Sequence, residues 1–359
     1  MAEKILLIGG GYSHLHFLKR LKEGERLTSD VTLLLPKKTD IYSKMLPGLL
    51  EGIYQFEQLE LDFVKLATDA GVTFVKGKPL SIDAKQKMVL TDEGEILNFD
   101  VVSFDMDSAS IDPFILKDTS GVIDPTHNEQ VQRLINEKRM TGQVVIAGGK
   151  HAGIELSFSI QAWKEKNGDN GKVILINRLR EQTEEAHQSK ISQLIQRAGI
   201  QLVDDEEVQR VDKNEIVTQS SAYSFDTFLC LPTSKASKLF RSSKLPVDEK
   251  GKLIVEDTLQ VKQFPFIFGT GASVTFRDYP NLPCNHASLL KQGSVLFDNI
   301  KGYLQSGEGY RYTPPKRTLS ILSTGNRKAL LSYGKLSMFG YLPWLLRDRI
   351  DRKSIGLIN

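Results

Sequence analysis

The chain has 359 residues, of which 40% are hydrophobic and 25% charged, and its net charge is only +3. This length and composition fit a globular protein with two α/β cores and a small third element. No stretch approaches the roughly 18–20 continuous apolar residues of a membrane-spanning helix, and the first strand begins too early to leave room for a signal peptide. We therefore expect a cytoplasmic protein, and we expect no nucleic-acid partner.

Cysteine and histidine give no sign of a metal or disulfide site. Cys230 and Cys284 are the two cysteines, and they lie far apart without a C-x-x-C motif. The six histidines are scattered along the chain. These spacings support neither a disulfide framework nor a cysteine redox pair or zinc site, so we expect no metal.

Hydrophobic periodicity in the first part of the chain alternates between strands and helices. In chain order it predicts a strand at 4–8, a helix at 12–22, a strand at 31–35, a helix at 59–70, and strands at 72–75, 88–91, 96–99 and 101–104. This order is that of a β-α-β unit with an extension.

A second unit of the same kind follows, and the chain then returns to the first. The predicted elements are a helix at 128–138, a strand at 143–147, a helix at 152–164, a strand at 172–176, a helix ending at Gly199, strands at 225–231 and 264–268, a helix at 286–304, and strands near 319–322 and 328–331. The sequence therefore predicts an α/β fold of two Rossmann-like dinucleotide-binding domains, one inserted in the other. The predicted boundaries are 1–108 with 222–305 for the first domain, 109–221 for the second and 306–359 for a C-terminal element.

The first glycine-rich turn follows the apolar run at 5–8 and reads Gly9-x-Gly11-x-x-His14. Such a turn brings backbone N–H groups and a helix N-terminus up to a pyrophosphate. Histidine stands where a glycine usually allows close packing of helix and strand, so we expect a side chain there to separate the two.

The second glycine-rich turn follows the apolar run at 144–147 and reads Gly148-Gly149-Lys150-x-x-Gly153. Lys150 stands where the backbone normally approaches the pyrophosphate. Its stem would obstruct the phosphate, or its charge would bind it, and the sequence leaves both alternatives open. Two such turns about 140 residues apart indicate one site for a bound cofactor and one for a visiting one.

The end of the chain is basic. From Arg311 to Asn359 ten Lys or Arg face two acids, which gives +8 there against −5 in the first 310 residues. Within 340–353, Leu342, Leu345 and Leu346 recur at helical spacing beside Tyr and Trp. The pattern is typical of a helix on an anionic membrane surface and equally of a terminal helix docked on the core.

The chain resembles the FAD-dependent pyridine nucleotide-disulfide oxidoreductases, specifically the type II NADH dehydrogenase group. It is more similar still to the short flavoprotein module fused to selenophosphate synthetase. The resemblance spans nearly the whole chain and depends on three segments. They are Leu7-Ile8-Gly9-Gly10-Gly11-Tyr12-Ser13-His14, Tyr42-Ser43-Lys44-Met45-Leu46-Pro47-Gly48 and Leu290-Lys291-Gln292-Gly293.

This resemblance implies two cofactors, FAD and NAD(P)H. The first turn, with Gly9, Gly11, Tyr12, Ser13 and His14, would bind the FAD pyrophosphate. The loop and strand residues assigned to the flavin are Met45, Leu46, Pro47, Gly269 and Thr270, and those assigned to the nicotinamide side are Gly148, Gly149, Lys150, Gly153 and Glu155, with Gln292 near the electron acceptor. Because flavin supplies the redox chemistry, no catalytic acid or base is required, and we assign no catalytic residue.

Several residues depart from the family pattern. The first unit has Leu35-Pro36-Lys37 where a ribose-binding acid is usual, and the second has Asn177-Arg178, where Arg178 would favour a 2′-phosphate. The family's Gly-Asp motif is replaced by Gly269-Thr270, and family glycines are replaced at Asp107 and at Pro232-Thr233.

Two functions follow from these observations. The first is an FAD-dependent NAD(P)H oxidoreductase that reduces a quinone or similar acceptor, with peripheral contact to the inner face of a membrane through 340–353. The second is a non-catalytic scaffold or binding protein that keeps the flavoprotein fold with weakened cofactor sites.

Overall fold

The computed structural model describes residues 2–106, 109–110, 122–137, 140–179, 185–231, 233–234, 238–280, 282, 286–305, 307, 309–315, 317 and 319–358. The helices there, numbered along the chain, are α1 (Tyr12–Lys22), α2 (Leu46–Leu50), α3 (Phe63–Asp69), α4 (Asn128–Asn136), α5 (His151–Asn167), α6 (Glu185–Arg197), α7 (Lys238–Ser242), α8 (His286–Gln305) and α9 (Tyr341–Ile358).

The strands are numbered in the same way. They are β1 (Lys4–Ile8), β2 (Asp30–Leu35), β3 (Thr39–Ile41), β4 (Glu60–Asp62), β5 (Thr73–Lys76), β6 (Pro79–Asp83), β7 (Met88–Thr91), β8 (Ile96–Asn98), β9 (Val101–Phe104), β10 (Ala109–Ser110), β11 (Val122–Ile123), β12 (Val144–Ala147), β13 (Val173–Asn177), β14 (Gln201–Asp204), β15 (Arg210–Asp212), β16 (Glu215–Val217), β17 (Ala222–Ser224), β18 (Thr227–Cys230), β19 (Thr233–Ser234), β20 (Leu253–Val255), β21 (Gln260–Val261), β22 (Phe264–Gly269), β23 (Val274–Phe276), β24 (Leu319–Ser323), β25 (Ala329–Tyr333) and β26 (Leu336–Gly340).

The first unit is built on a sheet in the order β21-β22-β9-β1-β2-β5, which is parallel except where β21 meets β22. β1 and β9 are almost wholly buried, as expected of central strands covered on both faces. Helices α1 and α8 pack against each other. Gly293 in α8 allows this approach, because a Cβ there would press on the backbone of Ser13.

The second unit is built on a parallel sheet in the order β11-β18-β12-β13-β14. Helix α5 crosses from β12 to β13, which is the right setting for a dinucleotide turn. The α/β fold with parallel sheets predicted from the sequence is therefore confirmed.

The chain crosses between the two units at β10 and β19. These short strands pair antiparallel, Ala109 with Ser234 and Ser110 with Thr233. β18 pairs with β12, so residues 227–230 lie with the second sheet, whereas the sequence pattern assigned 222–305 to the first domain. The sequence placed this boundary at 221/222 because an isolated apolar strand does not reveal which sheet it joins.

One predicted helix is shorter than expected. The pattern at 59–70 predicted a single helix, but residues Glu60–Asp62 form β4 beside β3, and α3 begins at Phe63. Asp62 is the reason for this start, because its carboxylate accepts a hydrogen bond from the Lys65 N–H at 2.9 Å and caps the helix.

The C-terminal element consists of an antiparallel sheet, β24-β25-β26, followed by α9. α9 packs against all three strands of this sheet and also contacts α1 of the first unit. It is longer than the sequence pattern indicated. The described residues contain no helix that is long and apolar enough to cross a membrane.

Candidate cofactor site

The first glycine turn is organised around Asp105, the residue that follows β9. Its carboxylate accepts hydrogen bonds from the N–H groups of Ser13 at 2.7 Å and His14 at 3.1 Å, and its carbonyl accepts one from Gly11 at 3.1 Å. The first N–H groups of a helix have no partner within the helix and so attract anions. At α1 that anion is a carboxylate of the chain itself.

Two glycines of the predicted site make room for Asp105. A Cβ at Gly11 would overlap the Asp105 carboxylate, and a Cβ at Gly9 would overlap its carbonyl. Gly9 also has a φ of 104°, which disfavours any other residue. A Cβ at Gly271, after β22, would overlap the same carboxylate.

His14 was expected to separate α1 from the neighbouring strand, but its side chain instead connects α1 to β9 and to the glycine turn. Its ring is fully buried, and burial lowers its pKa. Nδ1 lies 2.7 Å from the Gly9 carbonyl and must donate to it, so in the neutral ring Nε2 accepts from the Ser103 hydroxyl at 2.8 Å. Histidine thus replaces the packing glycine with two hydrogen bonds.

The residues assigned to the flavin are buried around the first unit. Met45, which precedes α2, and Leu46 and Pro47, which begin it, are all buried. The Thr270 hydroxyl is buried and has no hydrogen-bond partner among the described residues. Gln292 is 2% exposed, and its Oε1 accepts from the Gly271 N–H at 3.0 Å, so it is not the ordinary surface residue that a helix of this kind would carry.

These residues fit FAD in two respects and hinder it in one. The glycine turn leads into a helix N-terminus, and the unpaired Thr270 hydroxyl stands where a ligand oxygen would satisfy it. However, Asp105 already accepts from the amides that a pyrophosphate would use. The site fits FAD once this carboxylate gives up the amides.

The second glycine turn begins like the first with a glycine of positive φ, but its next two residues also have positive φ, whereas Gly11 of the first turn has a φ of −67°. Gly148 and Gly149 have φ values of 81° and 71°. A Cβ at Gly153 would overlap the Gly148 carbonyl, so this glycine is required for close packing of α5 on the turn. The four residues predicted for the nicotinamide side of this turn therefore do lie together.

Lys150 holds a backbone conformation that suits glycine. Its φ is 48° and its ψ is −124°, a combination that is strained for a residue with a side chain. Its side chain is exposed. Its carbonyl accepts a hydrogen bond at 3.0 Å from the side chain of Asn177, the residue predicted to meet the ribose. Arg178, predicted to meet a 2′-phosphate, forms an ion pair at 2.8 Å with Glu207.

Glu155 is not an exposed first-turn carboxylate. It pairs with Arg347 of α9 and accepts from the Ser323 N–H at 2.8 Å. Arg347 also donates to the carbonyls of Lys44 at 2.9 Å and Ile321 at 3.0 Å. Burial lowers the pKa of the neighbouring His151, so that ring is neutral near pH 7.

Arg347 therefore joins three elements at one point. It connects the flavin-side loop at Lys44, the nicotinamide-side helix at Glu155 and the C-terminal sheet at Ile321. α2 also packs directly on α5. The structure thus brings together the two halves of the predicted site.

Sequence reasoning missed Asp105 and Arg347. Asp105 directly follows the buried apolar strand β9, and a carboxylate at the end of such a strand could have been recognised from the sequence as a candidate functional residue. Arg347 was counted only as part of a basic tail. Asp107, Pro232 and Cys284 lie outside the described residues, and of Thr233 only the strand position is described.

The comparisons with known proteins agree with this fold. The model of the pyridine nucleotide-disulphide oxidoreductase family matches residues 3–287. Sulfide:quinone oxidoreductase from Aquifex aeolicus superposes with a TM-score of 0.83 at 16% identity, covering 99% of this chain and 91% of that one. NDH2 from Plasmodium falciparum, solved with NADH, gives 0.81 at 12% identity, covering 100% and 97%.

A third similar structure is the water-forming NADH oxidase from Lactobacillus brevis bound to NADH. Its TM-score is 0.75 at 19% identity, and the match covers 93% of this chain and 75% of that one. No curated protein sequence matches this chain. At these identities the structures establish the fold, and the family match covers most of the sequence. Members of the family are enzymes that use FAD with NAD(P)H, and the chain belongs to the pyridine nucleotide-disulphide oxidoreductase family.

Proposed function

We propose that this chain is an FAD-dependent NAD(P)H oxidoreductase that passes electrons to a quinone or a similar small acceptor. The observation that carries the proposal is the contact between α2, on the flavin side, and α5, on the nicotinamide side. Hydride transfer requires the two rings to meet, and this contact is where the two glycine-turn units meet. When bound, FAD accepts hydride and supplies the redox chemistry.

The residues of the chain would position the two cofactors. Gly148, Gly149 and Gly153 shape the turn that receives NAD(P)H at the N-terminus of α5. Lys150 exposes its ammonium group beside that N-terminus, which favours its role as a phosphate ligand over that of an obstruction. Arg347 fixes Glu155 and the loop at Lys44 relative to each other.

Arg178 leaves both nicotinamide nucleotides as candidate donors. Its guanidinium stands after β13, where a 2′-phosphate would lie, and its pairing with Glu207 is only partly buried, so exchange of that partner for a phosphate costs little.

Membrane contact through the C-terminal element is part of the proposal. In β24–β26 the cross-strand pairs place Leu319, Tyr333, Leu336 and Met338 on one sheet face, and all four are exposed. At the start of α9, Leu342 is 66% exposed, while Trp344 is buried. α9 therefore docks on the core and still presents apolar side chains, in the most basic part of the chain, to an anionic surface on the inner face of a membrane.

A second candidate function is a scaffold or binding protein that keeps the fold without flavin. The observation that favours it is the occupation of the α1 amides by Asp105. Such a protein would neither hold FAD nor oxidise NAD(P)H.

Steady-state oxidation of NADH and NADPH by FAD-loaded protein with a water-soluble quinone separates the two functions. The oxidoreductase predicts turnover that requires both FAD and quinone. Gly153→Val is the matched variant, because its side chain would overlap the Gly148 carbonyl and close the second turn while leaving the first unchanged. It should lose turnover but retain FAD binding. Absence of turnover in FAD-loaded wild-type protein would reject the oxidoreductase.

A further inference from the structure

One difference between the two glycine-turn units lies at the residue that follows the neighbouring strand, after β9 in the first unit and after β18 in the second. In the first unit the Asp105 N–H donates to the Ile8 carbonyl at 3.0 Å, and in the second the Leu231 N–H donates to the Ala147 carbonyl at 2.9 Å. The carbonyls of Asp105 and Leu231 lie against the turn glycines Gly9 and Gly148 in the same way. The duplicated fold thus places Asp105 and Leu231 at corresponding points.

Only the first of these residues can act as an anion. The Asp105 carboxylate and carbonyl together accept from the N–H groups of Gly11, Ser13 and His14, which are three of the four groups that a helix start leaves unpaired. Leu231 offers α5 no acceptor side chain, and Lys150 at the start of α5 makes no side-chain cap either.

We propose that Asp105 is an intramolecular competitor of the FAD pyrophosphate, so that the protein is stable without flavin and binds FAD only by displacing this carboxylate. The inference rests on the proposed FAD-dependent function. A carboxylate and a pyrophosphate cannot both use the Ser13 and His14 amides, and the two anions would repel each other at short range. The buried Thr270 hydroxyl, unpaired among the described residues, lies in the residue next to Gly271, which touches the same carboxylate.

Among the described residues, no carboxylate accepts a hydrogen bond from the first amides of α5 in the way that Asp105 does at α1. α5 receives NAD(P)H beside an apolar residue, whereas α1 receives FAD beside a carboxylate. The chain therefore weakens the site of the cofactor that is usually bound permanently and leaves open the site of the one that exchanges.

The test is the FAD dissociation constant of three proteins, measured by quenching of FAD fluorescence without NAD(P)H. Asp105→Asn keeps the size of the side chain and removes its charge, and Asp105→Leu installs the residue of the second unit. Both should bind FAD more tightly than wild type, by on the order of tenfold, because a charge-assisted pair of hydrogen bonds no longer has to be broken. Inorganic pyrophosphate should raise the melting temperature of Asp105→Asn more than that of wild type.

Asp62→Asn is the matched control, because Asp62 also caps a helix with its carboxylate but accepts from the Lys65 amide of α3, which is not part of either glycine turn. It should change stability but not FAD affinity. Equal or weaker FAD binding by folded Asp105→Asn would overturn the proposal and show that Asp105 only caps the helix. Leu231→Asp provides the reciprocal test and should weaken NAD(P)H binding.

The FAD-affinity test of Asp105 and the test of NAD(P)H oxidoreductase activity can give different answers. Tighter FAD binding by the variants with no reduction by NAD(P)H would support the competitor and reject the oxidoreductase. Reduction of bound FAD by NAD(P)H, together with the same FAD affinity in wild type and the Asp105 variants, would support the oxidoreductase and reject the competitor.

Discussion

Arg347 in the C-terminal helix forms an ion pair with Glu155 in the helix of the second glycine turn, and the two side chains are only 11% and 12% exposed. The residues are 192 positions apart, and Nη2 lies 3.1 Å from Oε2 while Nη1 contacts Oε1. The pair connects the C-terminal element to the proposed cofactor site, since the same guanidinium donates to the Lys44 carbonyl.

Removing one partner of this pair should be costly. Arg347→Met leaves Glu155 buried without its cation, and we expect the free energy of unfolding to fall by about 3–5 kcal/mol. Urea denaturation measures this. The double variant with Glu155→Gln should recover part of the loss, because residue 155 then carries no uncompensated charge, although Asp351 still lacks its Arg347 partner.

Arg352→Met is the control for that experiment. Arg352 pairs with Asp348 at 2.9 Å on the same helix, but its side chain is 47% exposed. Its loss should therefore cost less than about 1 kcal/mol. Equal losses in the Arg347 and Arg352 variants would contradict the assignment of the buried pair.

Asp351 should give the protein a distinct pH dependence. Burial raises its pKa from 3.8 to about 6, despite the neighbouring Arg347. The folded state then holds the proton up to about pH 6, while the unfolded state releases it near pH 4, so this contribution is greatest at low pH and is lost as the pH rises through 6. Relative to Asp351→Asn, wild type should lose about 1–3 kcal/mol between pH 4 and pH 7.

The measurement is the denaturation midpoint of both proteins across that range. Other carboxylates titrate in both proteins and cancel in the difference. A difference that does not change with pH, or that grows in favour of wild type as the pH rises, would contradict the raised pKa.

Substitution of Lys150 by glycine should change the stability of the protein and its affinity for NAD(P)H in opposite directions. Lys150→Gly relieves the strain of φ 48° and ψ −124°, and we expect a gain of about 1 kcal/mol in stability. The same change removes a cation from the N-terminus of α5, so NAD(P)H binding should weaken severalfold. Calorimetric titration and thermal denaturation measure the two effects.

Lys150→Ala distinguishes their causes, because it removes the charge but retains the strain. It should lose affinity without the gain in stability. Tighter NAD(P)H binding by Lys150→Gly would show that the lysine obstructs the phosphate.

The exposed apolar side chains of the C-terminal element should mediate membrane binding. Leu336→Glu and Leu342→Glu alter side chains that are 73% and 66% exposed, so the fold should tolerate both. Binding to liposomes with anionic lipids should fall in each variant and in raised salt. Leu80→Glu, exposed on β6 of the first unit, is the control and should bind as wild type does. Unchanged binding in all variants would reject this surface.

The sequence was sufficient to predict what depends on local pattern. Strands β1 and β12, the glycine turns after them and the helices α1 and α5 follow directly from apolar runs and glycine positions. The close packing of Gly153 against the Gly148 carbonyl could also be predicted, because the third glycine of the dinucleotide-binding motif marks a helix that packs closely on its turn.

What the sequence could not show depends on contacts between distant residues. Asp105 lies 92 residues beyond Ser13, and no local pattern reveals that the two meet. β18 could be assigned to a sheet only after its neighbour β12 was known. That the His14 side chain hydrogen-bonds within the first unit could not be predicted for the same reason, since Ser103 of β9 supplies its second hydrogen bond. The resemblance to the selenophosphate synthetase module stays a prediction.

The most direct test of the account is the visible spectrum of protein incubated with FAD, freed of excess flavin and then mixed anaerobically with NADH or NADPH. An FAD-dependent NAD(P)H oxidoreductase should show flavin bands that remain with the protein and bleach with at least one nucleotide. Bound flavin that neither nucleotide bleaches, or no bound flavin in wild type and Asp105→Asn alike, would contradict it.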